Sequence, residues 1–253
     1  SYDLTEIFDD VENGSNLSFS FSENIAAVEA SLDGSVLTLN FLENENGSGS
    51  VTVSASDIVS RLSVQDSFNV TVTPVNDAPV ADAASAIGDE DSNISIDLSG
   101  SDIDGDALTF SLGSSASNGS VEVSGSIATY TPNFDFNGSD SFTFVASDEE
   151  LSSEATVDVT VNPVNDAPIF ITSSLDSIDE DVAYDFTLDV NDIDNSAGEL
   201  SLSISSGPSW LSVSGLNLSG TPSGSDVGTS SVLLNLTDGD IITSASFGLT
   251  VNA

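Results

Sequence analysis

The chain has no cysteine and no histidine, and of its 253 residues only one, Arg61, is basic. Without cysteine there are no disulfides and no thiolate metal sites. Without histidine, lysine or cysteine, the usual general bases, nucleophiles and cationic clamps of an active site are missing, which argues against an enzyme. Paired carboxylates alone can run glycoside hydrolysis, but the acids here fall in turns between strands rather than around an obvious cleft. No apolar run reaches the 18 or more residues of a membrane-spanning helix. The chain opens with no secretory leader, so a surface protein of this kind is expected to be an internal segment of something longer.

What the chain has in excess is acid. Forty-two Asp and Glu against one base give a formal charge of −41. Such a surface repels nucleic acid and anionic membranes, so neither is expected as a partner. The apolar fraction of 38%, with thirteen Phe, is too high for a disordered acidic polymer and sufficient for packed cores. Two carboxylates about 4 Å apart repel by roughly 4 kcal/mol at an effective dielectric near 20. Dispersed acids stay solvated; clustered ones need a cation. The arrangement of the acids therefore decides the reading.

The arrangement is periodic. TVTPVNDAPV at 71–80 returns as TVNPVNDAPI at 160–169, an offset of 89 residues, and TVNA closes the chain at 250–253. Ahead of each copy stands an aspartate at the end of an alternating run: Asp57 after Ala55-Ser56, Asp148 after Ala146-Ser147, and Asp238 after Leu236-Thr237. Farther upstream lies a pair of acids two residues apart: Asp10 and Glu12, Asp102 and Asp104, Asp192 and Asp194. GDED at 88–91 and IDED at 178–181 follow the first two linkers. Period-two alternation predicts strands at 50–56, 140–147 and 231–237, and at 67–73, 155–161 and 246–252, each pair closing a module. No segment carries a helical stripe.

The reading is all-β: three tandem Greek-key β-sandwich modules of cadherin or immunoglobulin type, about seven strands each, in an elongated rod. Boundaries fall at 1–75, 76–164 and 165–253. YDL at 2–4 aligns with IDL at 96–98, so the first module is expected to lack its first strand.

These elements in this order resemble the bacterial cadherin-like repeats of large exported surface adhesins. The third module, with GPSWLSVSG at 207–215 and SGTPSG at 219–224, is most similar to the dystroglycan-type cadherin-like subfamily. The resemblance implies an extracellular, cell-surface location and calcium bound at the module junctions. Carried over by position, the first junction uses Asn76 and Asp77 of the linker with Asp102, Asp104 and Asp148. The second uses Glu90 and Asp135 from the middle module, Asn165 and Asp166 of the linker, and Asp192, Asp194 and Asp238. Asp10, Glu12 and Asp57 face an upstream neighbour, Glu180 a downstream one, and Glu43 or Glu45 supply what the first module offers to the first junction. The chemistry agrees, since calcium takes six to eight oxygen ligands, and Ala-Pro after each Asn-Asp keeps the linker extended. A lone Asp-x-Asp is ordinarily a solvated turn; the ordered recurrence gives it weight. DIDGDA at 102–107 is not an EF-hand, because Ala107 holds the place of the required Gly and Gly113 that of the Glu.

The function implied is a calcium-stiffened spacer or adhesion region, its partners the neighbouring modules of a longer chain. The alternative is a calcium-dependent module binding polysaccharide or its own kind, with Trp210 as the only candidate sugar platform. Trp210 in PSWLSV suits a packing role better, and Phe134 and Phe136 are expected in the core or anchoring a turn.

Overall fold

In a computed structural model of the protein, residues 1–9 and 17–253 are described, and among them every regular element but two single 3-10 turns is a strand. Asp10 and Glu12 lie outside the described residues. The accessible surface is 14297 Å², roughly a third more than a single globule of 25.8 kDa exposes. The excess reflects three separate cores along one chain.

The first core is built by β1 (Tyr2–Asp3), β2 (Leu17–Glu23), β3 (Val28–Asp33), β4 (Val36–Phe41), β5 (Gly47–Asp57) and β6 (Ser63–Val72). They form two antiparallel sheets, β1-β4-β3 and β2-β5-β6. The second core has nine strands: β7 (Val80–Ala81), β8 (Ala84–Asp89), β9 (Ile94–Asp97), β10 (Gly100–Ser101), β11 (Thr109–Leu112), β12 (Gly119–Ser124), β13 (Ile127–Pro132), β14 (Gly138–Ser147) and β15 (Ser152–Asn162). Here β11-β14-β15-β8 faces β12-β13-β9, and β7 pairs with β10. The third repeats this with β16 (Ile169–Phe170), β17 (Ile178–Asp179), β18 (Tyr184–Thr187), β19 (Val190–Asn191), β20 (Ser201–Ser206), β21 (Ser212–Ser214), β22 (Asn217–Gly220), β23 (Gly228–Thr237) and β24 (Ile242–Asn252).

Alternation makes the closing strands. Val51, Val53 and Ala55 on β5, Phe142, Phe144 and Ala146 on β14, and Val232, Leu234 and Leu236 on β23 are all buried, while the residues between them face outward or are half-buried. Burying each Phe or Leu side chain removes about 1.5–3 kcal/mol of apolar exposure. Leu4, Leu98 and Leu188 are buried equivalents, each N–H donating across the sheet, to Ser35, Ser126 and Leu216. This places β1 at the second strand of the other two units, as the YDL and IDL alignment expects.

Two expectations are corrected, the strand count of the second and third units and the place of Phe134. The first strand of the second and third units is broken in two, because β7 pairs with β10 whereas β8 crosses to run parallel with β15. The second strand is also interrupted, giving nine strands rather than about seven. Phe136 packs on the second core, but Phe134 is 86% exposed and neither fills a core nor anchors the turn.

Candidate metal centres

Each linker is tied to the unit that follows it by the same pair of hydrogen bonds. Asn76 Nδ2 donates to Asp148 Oδ2 at 2.9 Å, and the Asp77 N–H to Asp104 Oδ2 at 2.8 Å. In the next linker Asn165 Nδ2 donates to Asp238 Oδ2 at 2.7 Å, and the Asp166 N–H to Asp194 Oδ2 at 2.8 Å. The acid pairs are held by turns of their own: Asp102 Oδ1 accepts from the Asp104 N–H, and Asp192 Oδ1 from those of Asp194 and Asn195, all at 2.8 or 2.9 Å. Asp148 and Asp238 fold the hairpins after them, Asp148 Oδ1 accepting from Glu150 and Leu151, Asp238 Oδ1 from Asp240 and Ile241.

Asp148 and Asp238 use both oxygens in these bonds, whereas Asp102 and Asp192 use one and leave the other. Asp102 Oδ2, Asp192 Oδ2, Asp166 Oδ2 and Asp135 Oδ1 are buried with no hydrogen-bond partner. Orphaned carboxylate oxygens cost more than almost any other buried polar atom unless charge of the opposite sign is supplied. The carboxylates themselves converge. Asp91, Asp135 and Asp166 offer oxygens within 4.8 Å of one another, and so do Asp102, Asp104 and Asp106.

The second linker gathers acids from both sides. Glu90 is 2% exposed, the one buried charged side chain among the described residues. Its Oε1 accepts from the Val164 N–H at 2.7 Å and its Oε2 from Asn137 Nδ2 at 3.3 Å, so the middle unit grips the linker entering the third. Asp91 and Asp135 stand in the left-handed region, φ 60° and 54°, where Asp is among the few tolerated residues. Burial, then Asp166, Asp91, Glu90 and Asp194, hold the Asp135 carboxyl above its ordinary value. Asp166 is raised by burial, then by Asp91, Asp194, Glu90 and Asp192. Asp238 is pulled the other way, first by the Asn165 amide, and Asp148 first by the Leu151 N–H and then by Asn76.

The first linker is poorer. Asn44, φ 59°, occupies in the sequence NENG the place Asp135 holds in DFNG. Among the acids of the first unit, Glu45 lines the cleft shared with Asp77 and Asp104. Asp57 accepts from the Val59 and Ser60 N–H groups of its own hairpin. Asp91 and Asp106, which stand outside the recurring spaced pairs and linkers, complete the two carboxylate groups. Each sits in an acidic run, GDED at 88–91 or DIDGDA at 102–107, whose sequence alone does not mark it as a ligand.

A hard divalent cation fits this donor set. Every available donor is an oxygen, the orphans point to missing positive charge, and the mixture of carboxylates with Asn amides is the kind calcium accepts. Residues Asp91, Asp135, Asp166, Asp192 and Asp194 would hold it at the second linker, and Asp77, Asp102, Asp104 and Asp106 at the first. Trp210 packs on the third core, edge to face with Tyr184 at 6.1 Å between ring centroids, and stays partly exposed.

Residues 76–160 match the family described as Bacterial Ig domain, and residues 167–252 the family described as Putative Ig domain. No curated protein matches the sequence. Among solved structures, Protocadherin Gamma B7 extracellular cadherin domains 1–4 are similar at 23% identity and TM-score 0.56, covering 94% of this chain and 67% of that one. PcdhgB3 EC1-4 is similar at 16% identity and TM-score 0.59, covering 94% and 66%. At these identities the likeness is one of fold. An endo-fucoidan hydrolase from glycoside hydrolase family 107 aligns at 25% identity over 94% of this chain; the chain spans 39% of that protein, and the TM-score of 0.33 carries no argument.

Proposed function

Because the chain is a tandem array of bacterial Ig-like modules with the cadherin-like fold, we propose that it is a calcium-stiffened extracellular spacer of a bacterial surface adhesin. The observation that carries the reading is the set of buried, unpartnered carboxylate oxygens at the second linker, contributed by Asp135 of one unit, Asp166 of the linker and Asp192 of the next. Without a cation these carboxylates repel each other across the hinge, and the two units are held apart mainly by the extended linker. With calcium bound, the same charges become shared ligands, and bending the hinge means breaking metal–oxygen contacts. Each core belongs to one unit, so the metal sets the stiffness of the rod rather than the fold of its modules. The affinity expected is that of extracellular calcium modules, a dissociation constant of about 10⁻⁴–10⁻³ M.

Calorimetric titration of calcium into the full chain and into two isosteric variants tests the reading. Asp166→Asn removes a proposed ligand, whereas Asp97→Asn changes an exposed carboxylate at the end of β9 with no role at a junction. Loss of about one site or a marked fall in affinity in D166N, with D97N unchanged, is expected. Equal titrations for the two variants contradict the proposal.

A further inference from the structure

Among the described residues the most exposed aromatic side chain, Phe134 at 86%, stands beside the acids of the second linker. It forms one wall of a cleft of about 270 Å³ with Ile169 and Ile193 of the third unit, themselves 49% and 57% exposed. The other wall is Asp135, Asp166 and Asp192, each with one buried oxygen that has no hydrogen-bond partner. The turn explains the exposure. Asp135 takes left-handed backbone at φ 54°, Phe136 on one side of it packs on the second core, and Phe134 on the other is left outside. An exposed apolar patch rimmed by polar groups marks a binding surface, and this one is particular to the second linker. At the first, ENENG at 43–47 stands where FDFNG stands at 134–138, so Glu43 takes the place of Phe134.

We propose that this cleft binds a neutral sugar residue of a polysaccharide, one pyranose ring laying its C–H face on Phe134 and turning two neighbouring hydroxyls to the acid wall. The site rests on the calcium reading, since calcium among these acids takes neutral oxygens as well as carboxylates in its six to eight ligands. Size favours a single ring. Pockets for drug-sized ligands start near 300 Å³, and a cleft of about 270 Å³ has no room for a helix or a strand pair. Charge favours a neutral one. Asp91, Asp135, Asp166, Asp192 and Asp194 carry more negative charge than one or two divalent ions offset, so hydroxyls fit where a further anion is repelled. A Lys or Arg side chain of a partner protein would also lie on the ring and pair with these acids. It would compete with calcium for them, however, whereas the sugar uses the calcium. The sugar platform is thus Phe134 rather than Trp210, which packs on the third core.

Two-dimensional NMR of the full chain, titrated with mannotetraose and with cellotetraose in calcium and in chelator, provides the test. In calcium at least one of the two should shift the resonances of residues 134–135, 166–169 and 191–193 and leave 43–47 and 102–106 unmoved. In chelator neither should. Phe134→Ala should weaken sugar binding about tenfold, and Phe134→Trp should retain it. Calcium shifts at Asp166 and Asp192 should be the same in both variants, because Phe134 supplies neither a ligand nor core packing. If calcium shifts Asp166 and Asp192 but neither sugar shifts Phe134, the sugar site is overturned and the calcium reading stands. If calcium moves neither aspartate, the calcium reading falls and the sugar site with it. Equal sugar binding in chelator, or by F134A, also overturns the proposal. Shifts of the cleft by tetralysine in chelator, with none by either sugar in calcium, overturn it in favour of a cationic side chain.

Discussion

Glu90 does two jobs that substitution can separate. Its Oε1 holds the Val164 N–H at 2.7 Å, and its charge adds to the acids that raise Asp135 and Asp166. Glu90→Ala removes both. A hydrogen bond to a charged acceptor contributes about 1.5–3 kcal/mol, and the longer bond from Asn137 adds less, so about 2–3 kcal/mol is lost. For a domain of fewer than 100 residues that lowers the melting temperature by about 10–20 °C. Glu90→Gln keeps an oxygen for Val164, removes the charge and gives up only the long bond from Asn137. In chelator E90Q should therefore melt with or slightly above the parent, because it relieves repulsion at the second linker. In calcium it should gain less than the parent, because the site has lost negative charge. Calorimetric melting of parent, E90A and E90Q, with chelator and with calcium, gives the comparison. If E90A and E90Q fall equally in chelator, charge rather than the Val164 bond is what Glu90 supplies, and the two-role argument fails.

The two linkers should fill unequally: the middle unit brings Glu90, Asp91 and Asp135 to the second, whereas the first unit brings Glu45 and Asn44 to the first. Calcium titration followed by NMR should shift resonances near Asp166 at lower calcium than those near Asp77, and the reverse order contradicts the charge-count argument. In chelator, pH should act with a definite sign. Asp135 and Asp166 have folded values raised above 3.8, so their destabilising charge is lost as pH falls through those raised values toward 3.8. Asp148 and Asp238, lowered from 3.8, contribute stability that is lost only at still lower pH. Stability of the second linker in chelator should therefore rise on mild acidification from neutrality, whereas in calcium it should fall as protons compete for the ligands. A fall in both conditions, followed by melting temperature, contradicts this assignment.

The closing strands and the linkers were legible in the sequence because their signals are local. Val157, Val159 and Val161 alternate with polar residues, and Asn-Asp-Ala-Pro recurs intact. The strand ends were not: β5 and β14 run on through Gly47–Gly49 and Gly138–Ser139, whose small residues carry no alternation but are paired by their neighbours. The parallel strand β8 was hidden for a similar reason, since ASAIGD has small inward residues and its pairing is long-range. At the candidate sites, the spaced aspartates gave Asp102, Asp104, Asp192 and Asp194. Asp91 depends on a left-handed backbone and on a partner 75 residues away at Asp166, which no spacing rule reveals. Phe134 misled because aromatics are usually buried, whereas here the acidic turn at Asp135 turns it outward to the cleft shared with Ile169 and Ile193.

The central claim is that calcium acts on the linkers and not on the folds of the units. Small-angle X-ray scattering of the full chain, in calcium and then in chelator, tests it most directly, with far-ultraviolet circular dichroism on the same samples. The account predicts a longer, stiffer particle in calcium and an unchanged β spectrum in both. Superimposable scattering curves, or loss of the β spectrum on chelation, would contradict it.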